Sequence, residues 1–164
     1  MYSKVKLFGH PIHPMLVAYP IALYTATLVA FIIAAARGDS FWFRVAVVAN
    51  IGGVIMAVVT ALPGFIDWAL GIPTDTPARD HGLRHMLLNV IALVLFIINA
   101  AVHASQWYAT RPDMGWGIAL SLVGVLCTVA AGFFGWTLIQ TDHVGVELSP
   151  DQTRQSAVGR RGVT

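Results

Sequence analysis

The sequence predicts an all-α integral membrane protein, an antiparallel four-helix bundle with its N- and C-termini on the same, cytoplasmic side. Three observations carry this expectation. Of 164 residues, 57% are hydrophobic and only 11% charged, with a mean hydropathy of +0.71. Soluble domains carry about 25% charged residues, so this chain has too few to cover a water-facing surface. The apolar residues also fall in four long runs, at 14–36, 45–66, 85–104 and 116–139. Each is close to the roughly 20 residues that a helix needs to cross about 30 Å of hydrocarbon. The third observation is the asymmetric placement of the cations between those runs.

Inside lipid the backbone must satisfy its own hydrogen bonds, so apolar runs of this length should be helices. A buried soluble bundle is disfavoured, because none of the runs has the charged face that a surface helix needs. The first run is too long for a signal-peptide core and has no small-residue cleavage site at a sensible place, so no cleavage is expected. Gly38, Asp39 and Ser40 break the first pair of runs, and Arg111, Pro112 and Asp113 break the last pair. Both links are tight and predict antiparallel hairpins. The middle link, 67–84, reads as longer, with Pro73, Pro77 and Gly82 as breakers. Residues 1–148 therefore form one transmembrane domain, and 149–164 read as a polar, flexible tail.

With four antiparallel spans, Lys4, Lys6, Arg79, Arg84, Arg154, Arg160 and Arg161 share one face, whereas Arg37, Arg44 and Arg111 share the other. The positive-inside rule makes the face with seven cytoplasmic. The net charge of +2 and pI near 9.0 therefore report orientation rather than a nucleic-acid partner. The lone Cys127 lies within an apolar run, so an intramolecular disulfide is excluded.

The histidines collect on one face. His10 and His13 precede the first span, His81 and His85 open the third, and His143 follows the fourth. Asp67, at the exit of the second span, and Asp142 lie on the same side. His103 lies about 27 Å farther along the third helix at 1.5 Å per residue and cannot join them. In Gly9-His10-Pro11-Ile12-His13-Pro14 each histidine precedes a proline, which biases it toward extended backbone. Pro14 suits the start of the first helix. His81 and His85 share a helical face, and Asn89 continues that stripe one turn deeper. His10, His13, His85 and His143, with Asp67, make a nitrogen-and-oxygen donor set suited to iron, zinc or copper. Paired histidines on facing helices also suit haem b. His81, Asn89 and Asp142 are expected around these ligands. The helix glycines, Gly52, Gly53, Gly64, Gly124, Gly132 and Gly135, permit close helix approach or leave room for a flat cofactor.

Gly-His-Pro-Ile-His-Pro-Met-Leu-Val at 9–17 and the following Pro20-Ile21 resemble the signature of a bacterial family of four-helix membrane proteins, domain of unknown function 2231. Gly64-Phe-Ile-Asp67-Trp68, His85-x-x-x-Asn89 and His143-x-Gly145-Val146 follow in the family's order. The resemblance covers about residues 9–148. Where the family often has an acidic residue at the end of the last helix, this chain has Thr137, which removes that position as a ligand. The resemblance implies a bacterial inner (plasma) membrane, multi-pass location. Some similar proteins carry a fused Rieske-type ferredoxin domain, which implies electron transfer with a ferredoxin-like partner.

The leading expectation is thus a membrane protein whose cytoplasmic-side histidines bind haem b or a small metal centre for electron transfer. The first alternative is an accessory subunit of a larger membrane complex, without cofactor. The second is a ferredoxin-fed metallo-oxygenase, which would need an open coordination position.

Overall fold

In the computed structural model, which describes residues 3–146 and 148–154, four long helical spans pack as an antiparallel bundle. A short hairpin comes first, β1 (Lys6–Leu7) and β2 (His10–Pro11), with Lys6 opposite Pro11 and Leu7 opposite His10. Its two-residue loop, Phe8-Gly9, has φ of 49° and 84°, the left-handed pair that a type I′ turn demands. The bundle follows as α1 (Ile12–Leu16), α2 (Ala18–Arg37), α3 (Ser40–Gly71), α4 (Pro77–Ala104) and α5 (Gly115–Gln140). Because α1 and α2 meet at a helical Val17, they form one span. α2 packs chiefly on α3 and α4 on α5, and the α3–α4 and α5–α2 contacts close the bundle.

All four spans run past the apolar runs, because a helix continues through its polar end turns once they find partners. The middle link shrinks most. α3 goes on through Asp67 to Gly71, and α4 starts at Pro77, leaving only 72–76 as connection. Pro77 at the helix start needs no N–H partner, and Gly82 is an interior helix residue whose missing side chain admits the Trp68 ring. The Arg79 guanidinium stacks on that ring at 3.7 Å and donates to the Trp68 and Ile72 carbonyls, so it caps the end of α3. The expectation that His81 and His85 open the third helix is therefore corrected: both lie inside α4. His13 is likewise helical, on the first turn of α1, because Pro14 sits where no intrahelical donor is needed. Of the cations counted above, Arg160 and Arg161, with most of the tail, lie outside the described residues.

At the end away from the histidine face, Ala30, Phe31, Ala34, Phe43, Ala46 and Val47 form the dry core. Asp39 caps α3 there by accepting from the Trp42 N–H at 3.0 Å, and pairs with Arg37 at 2.9 Å. The Trp42 N–H, then Arg37, hold its carboxyl below the usual carboxylate range. A depressed folded value stabilises above the unfolded value and fades as pH falls through the folded one. Protection of the Trp42 amide, its exchange taken relative to the intrinsic rate, should therefore fall on acidification below the ordinary carboxylate range, and should lose that dependence in Asp39→Asn.

Candidate functional site

Two prolines loosen the helices where the site forms. Pro20 offers no N–H to the Leu16 carbonyl, and Pro63 none to the carbonyl of Val59. In a membrane such turns survive when neighbouring side chains supply donors. One turn from Pro63, the Thr60 carbonyl accepts from His13 Nδ1 at 2.9 Å. On the other hairpin the Ala131 carbonyl accepts from His85 Nδ1 at 2.8 Å. A carbonyl can only accept, so both rings carry their proton on Nδ1 and turn the Nε2 lone pair elsewhere. The His85 lone pair meets the Asn89 amide nitrogen at 3.2 Å.

Each imidazole fills a notch. A Cβ on Gly64 would stand 2.7 Å from the His13 ring, and one on Gly135 would stand 3.2 Å from His85. These glycines accommodate the histidines themselves, rather than the flat cofactor that the sequence left room for. The two rings then meet, with centroids 6.2 Å apart and planes at 89°.

The remaining candidates divide. His81 Nδ1 lies 2.8 Å from Asp142 Oδ2, with the two side chains 28% and 10% exposed, so the carboxylate orients this ring at the water-facing end of α4. Asn89 lies beside His85 and also donates to its backbone carbonyl at 2.9 Å. Asp67 is committed to the N-terminal segment: it accepts from Ser3 Oγ at 2.7 Å and from the Lys4 and Val5 N–H groups at 2.6 and 3.1 Å. His10 is exposed on β2. His143 is half-buried in a left-handed turn, φ 54°, after α5. Such a turn costs an L-residue roughly 1–2 kcal/mol, so His143→Gly should melt higher than His143→Ala by a few degrees in detergent.

Among the described residues, no three His, Cys, Asp or Glu side chains form a group that could hold a metal. The structure brings His13 and His85 together and does not gather His10, His143 and Asp67 around them as a ligand set. Two imidazoles on one metal, through bonds of about 2.0 Å, put their ring centroids about 6 Å apart when the bonds are opposed. The observed centroid separation matches that distance, with the His85 Nε2 turned at present to the Asn89 amide nitrogen. A haem macrocycle needs space around that ion, and the two glycine notches do not supply it.

His103 belongs to a different region. It is fully buried, with Nδ1 2.8 Å from the Asn99 carbonyl and Nε2 2.9 Å from the Asp113 carbonyl. Its ring packs edge-on against Phe31 at 4.9 Å. His103 is thus a core residue that ties the α4–α5 connection. Nearby, the Asn99 amide donates to Ser121 Oγ and the Gly117 carbonyl. Asn50, with its amide nitrogen toward the Phe96 carbonyl, bridges to α4. Midway along the bundle, Tyr24 stacks on Phe96 at 3.6 Å.

A family model described as "Predicted membrane protein (DUF2231)" matches residues 9–148. No curated protein and no solved structure matches the chain.

Proposed function

This chain belongs to the DUF2231 family of predicted membrane proteins, and on that premise we propose that it is an electron-transfer protein of the bacterial plasma membrane that holds a redox-active metal through His13 and His85. The observation that carries the reading is the anchoring of both rings: each gives its Nδ1 proton to a backbone carbonyl of the neighbouring helix. Metal-ligating histidines are characteristically oriented in this way by their other nitrogen. A copper or iron centre there would exchange single electrons. His13 and His85 would hold it, and Asn89, whose amide nitrogen faces the His85 lone pair, would have to give way. Zinc at the same pair would be a structural occupant. The face with the surplus of cations is the cytoplasmic one, where a ferredoxin-like partner or a larger complex docks.

One observation favours the accessory-subunit reading. The same hydrogen bonds and glycine notches make each histidine a clasp between helices, a role that needs no metal. Absorption spectra and elemental analysis of protein purified in mild detergent separate the two. The redox reading expects a chromophore or one metal per chain, lost in His13→Ala and in His85→Ala and kept in His10→Ala and His103→Ala. Clean, folded protein that stays colourless and metal-free after metal and haem are supplied during expression would leave the accessory role.

A further inference from the structure

Three ring contacts along the bundle share one spacing. His13 meets His85, Tyr24 meets Phe96, and Phe31 meets His103, and in each pair the partners are 72 positions apart. The second helices of the two hairpins correspond with a spacing of 71. Gly64 and Gly135 receive the histidines, and Gly53 and Gly124 receive Tyr24 and Phe96. The carbonyls that anchor the histidines, Thr60 and Ala131, are 71 apart. So are the buried polar residues Asn50 and Ser121, while the buried Thr27 and Asn99 are 72 apart on the first helices.

A residue touches its own equivalent only where a two-fold axis passes between the two copies. Three such contacts spread over 18 residues mark out an axis roughly 27 Å long, parallel to the helices. The packing agrees, since α2–α3 matches α4–α5 and the α3–α4 contact matches α5–α2 in extent. Parallel repeats about an axis along the membrane normal are a known membrane architecture.

We infer that the bundle consists of two equivalent helical hairpins, 12–71 and 77–140, and that the His13–His85 contact on their axis is one symmetric site for a single cation in opposed two-imidazole coordination, the geometry of monovalent copper. This deepens the proposed function and rests on its choice of ligands. Equivalence of the two anchors requires that both rings contribute alike. Neither half holds the ion alone, and the stoichiometry is one per chain. The halves differ beside the pair, where Asn89 answers to Val17, and farther along the axis, where Phe96 answers to Tyr24 and His103 to Phe31.

The test uses the full chain in detergent with silver(I), a redox-inert ion that accepts two opposed nitrogen ligands. One silver per chain is expected. His13→Ala and His85→Ala should each weaken it on the order of 100-fold, since even outer-shell partners of a metal are worth 10–100-fold. In the metal-free protein the exchange Tyr24→Phe with Phe96→Tyr should leave the melting temperature unchanged. Silver lost in only one single variant, or a melting loss from the exchange, overturns the inference. Silver bound equally by a protein that carries no redox metal or haem keeps the symmetric site and sinks the electron-transfer reading. A haem band lost in both variants, with no silver bound, does the reverse.

Discussion

Gly64→Ala is expected to expel the His13 imidazole from its place on α3 and to abolish whatever the histidine pair binds. The added methyl would lie 2.7 Å from the ring, against Nδ1 itself, so it removes both the space and the hydrogen bond to Thr60. Alanine is the better helix former by about 1 kcal/mol, but overpacking costs typically 1–3 kcal/mol, and the lost hydrogen bond about 1 more. The balance is a loss of about 2 kcal/mol. The decisive variant is the double, His13→Ala with Gly64→Ala. It should recover much of the lost stability, because the clash is gone, and none of the binding. Melting temperatures and metal content of the two variants and wild type check this. A single variant that is stable and fully loaded would show that the ring does not need the notch.

The second large effect is expected at Asp67. Its carboxylate collects three donors from Ser3, Lys4 and Val5, and the Ile12 N–H returns to the Val5 carbonyl at 3.1 Å. One side chain thereby ties the N-terminal hairpin to the end of α3. Hydrogen bonds to a charged group are worth about 1.5–3 kcal/mol when sheltered, less here because two of the donors are only partly buried and one is exposed. Asp67→Ala should cost about 2 kcal/mol of local stability, confined to residues 3–11. Asp67→Asn, which keeps one acceptor, should lose part of that. Proteolysis at Lys4 and Lys6 and hydrogen exchange of the Val5 amide provide the readout. An unchanged cleavage rate in Asp67→Ala would mean that β1 and β2 hold without the tether.

The spans, their antiparallel order and the meeting of His13 with His85 were legible because hydropathy and link length determine which helix ends return to one face. What was not legible depended on partners remote in sequence. Asp67 looks like a ligand beside a span, and its role appears only when the strap residues fold back to it. His10 shares a motif with His13, yet a hairpin turns one ring to water while the helix takes the other inward. The burial of His103 was not legible, since a sequence does not reveal that one helix carbonyl and one loop carbonyl close over it. The duplication leaves few identical residues, among them His13 with His85, Leu23 with Leu95, Gly53 with Gly124 and Gly64 with Gly135. Apolar residues interchange freely in lipid, so the repeat survives in glycine notches and ring contacts rather than in letters.

The overhang of α3 and α4 ties the histidine pair to the thickness of the surrounding bilayer. α3 has 32 residues and α4 has 28, about 48 and 42 Å at 1.5 Å per residue, against roughly 30 Å of hydrocarbon. His85 marks the first residue of the apolar run in α4, eight positions after the helix begins at Pro77. The pair therefore sits at the waterline. Lipids with longer acyl chains would draw the imidazoles into oil, where a cation at the proposed site would be held only by two nitrogens, and shorter chains would let water compete for it. Acyl-chain length thus becomes a control on occupancy that acts without altering any residue.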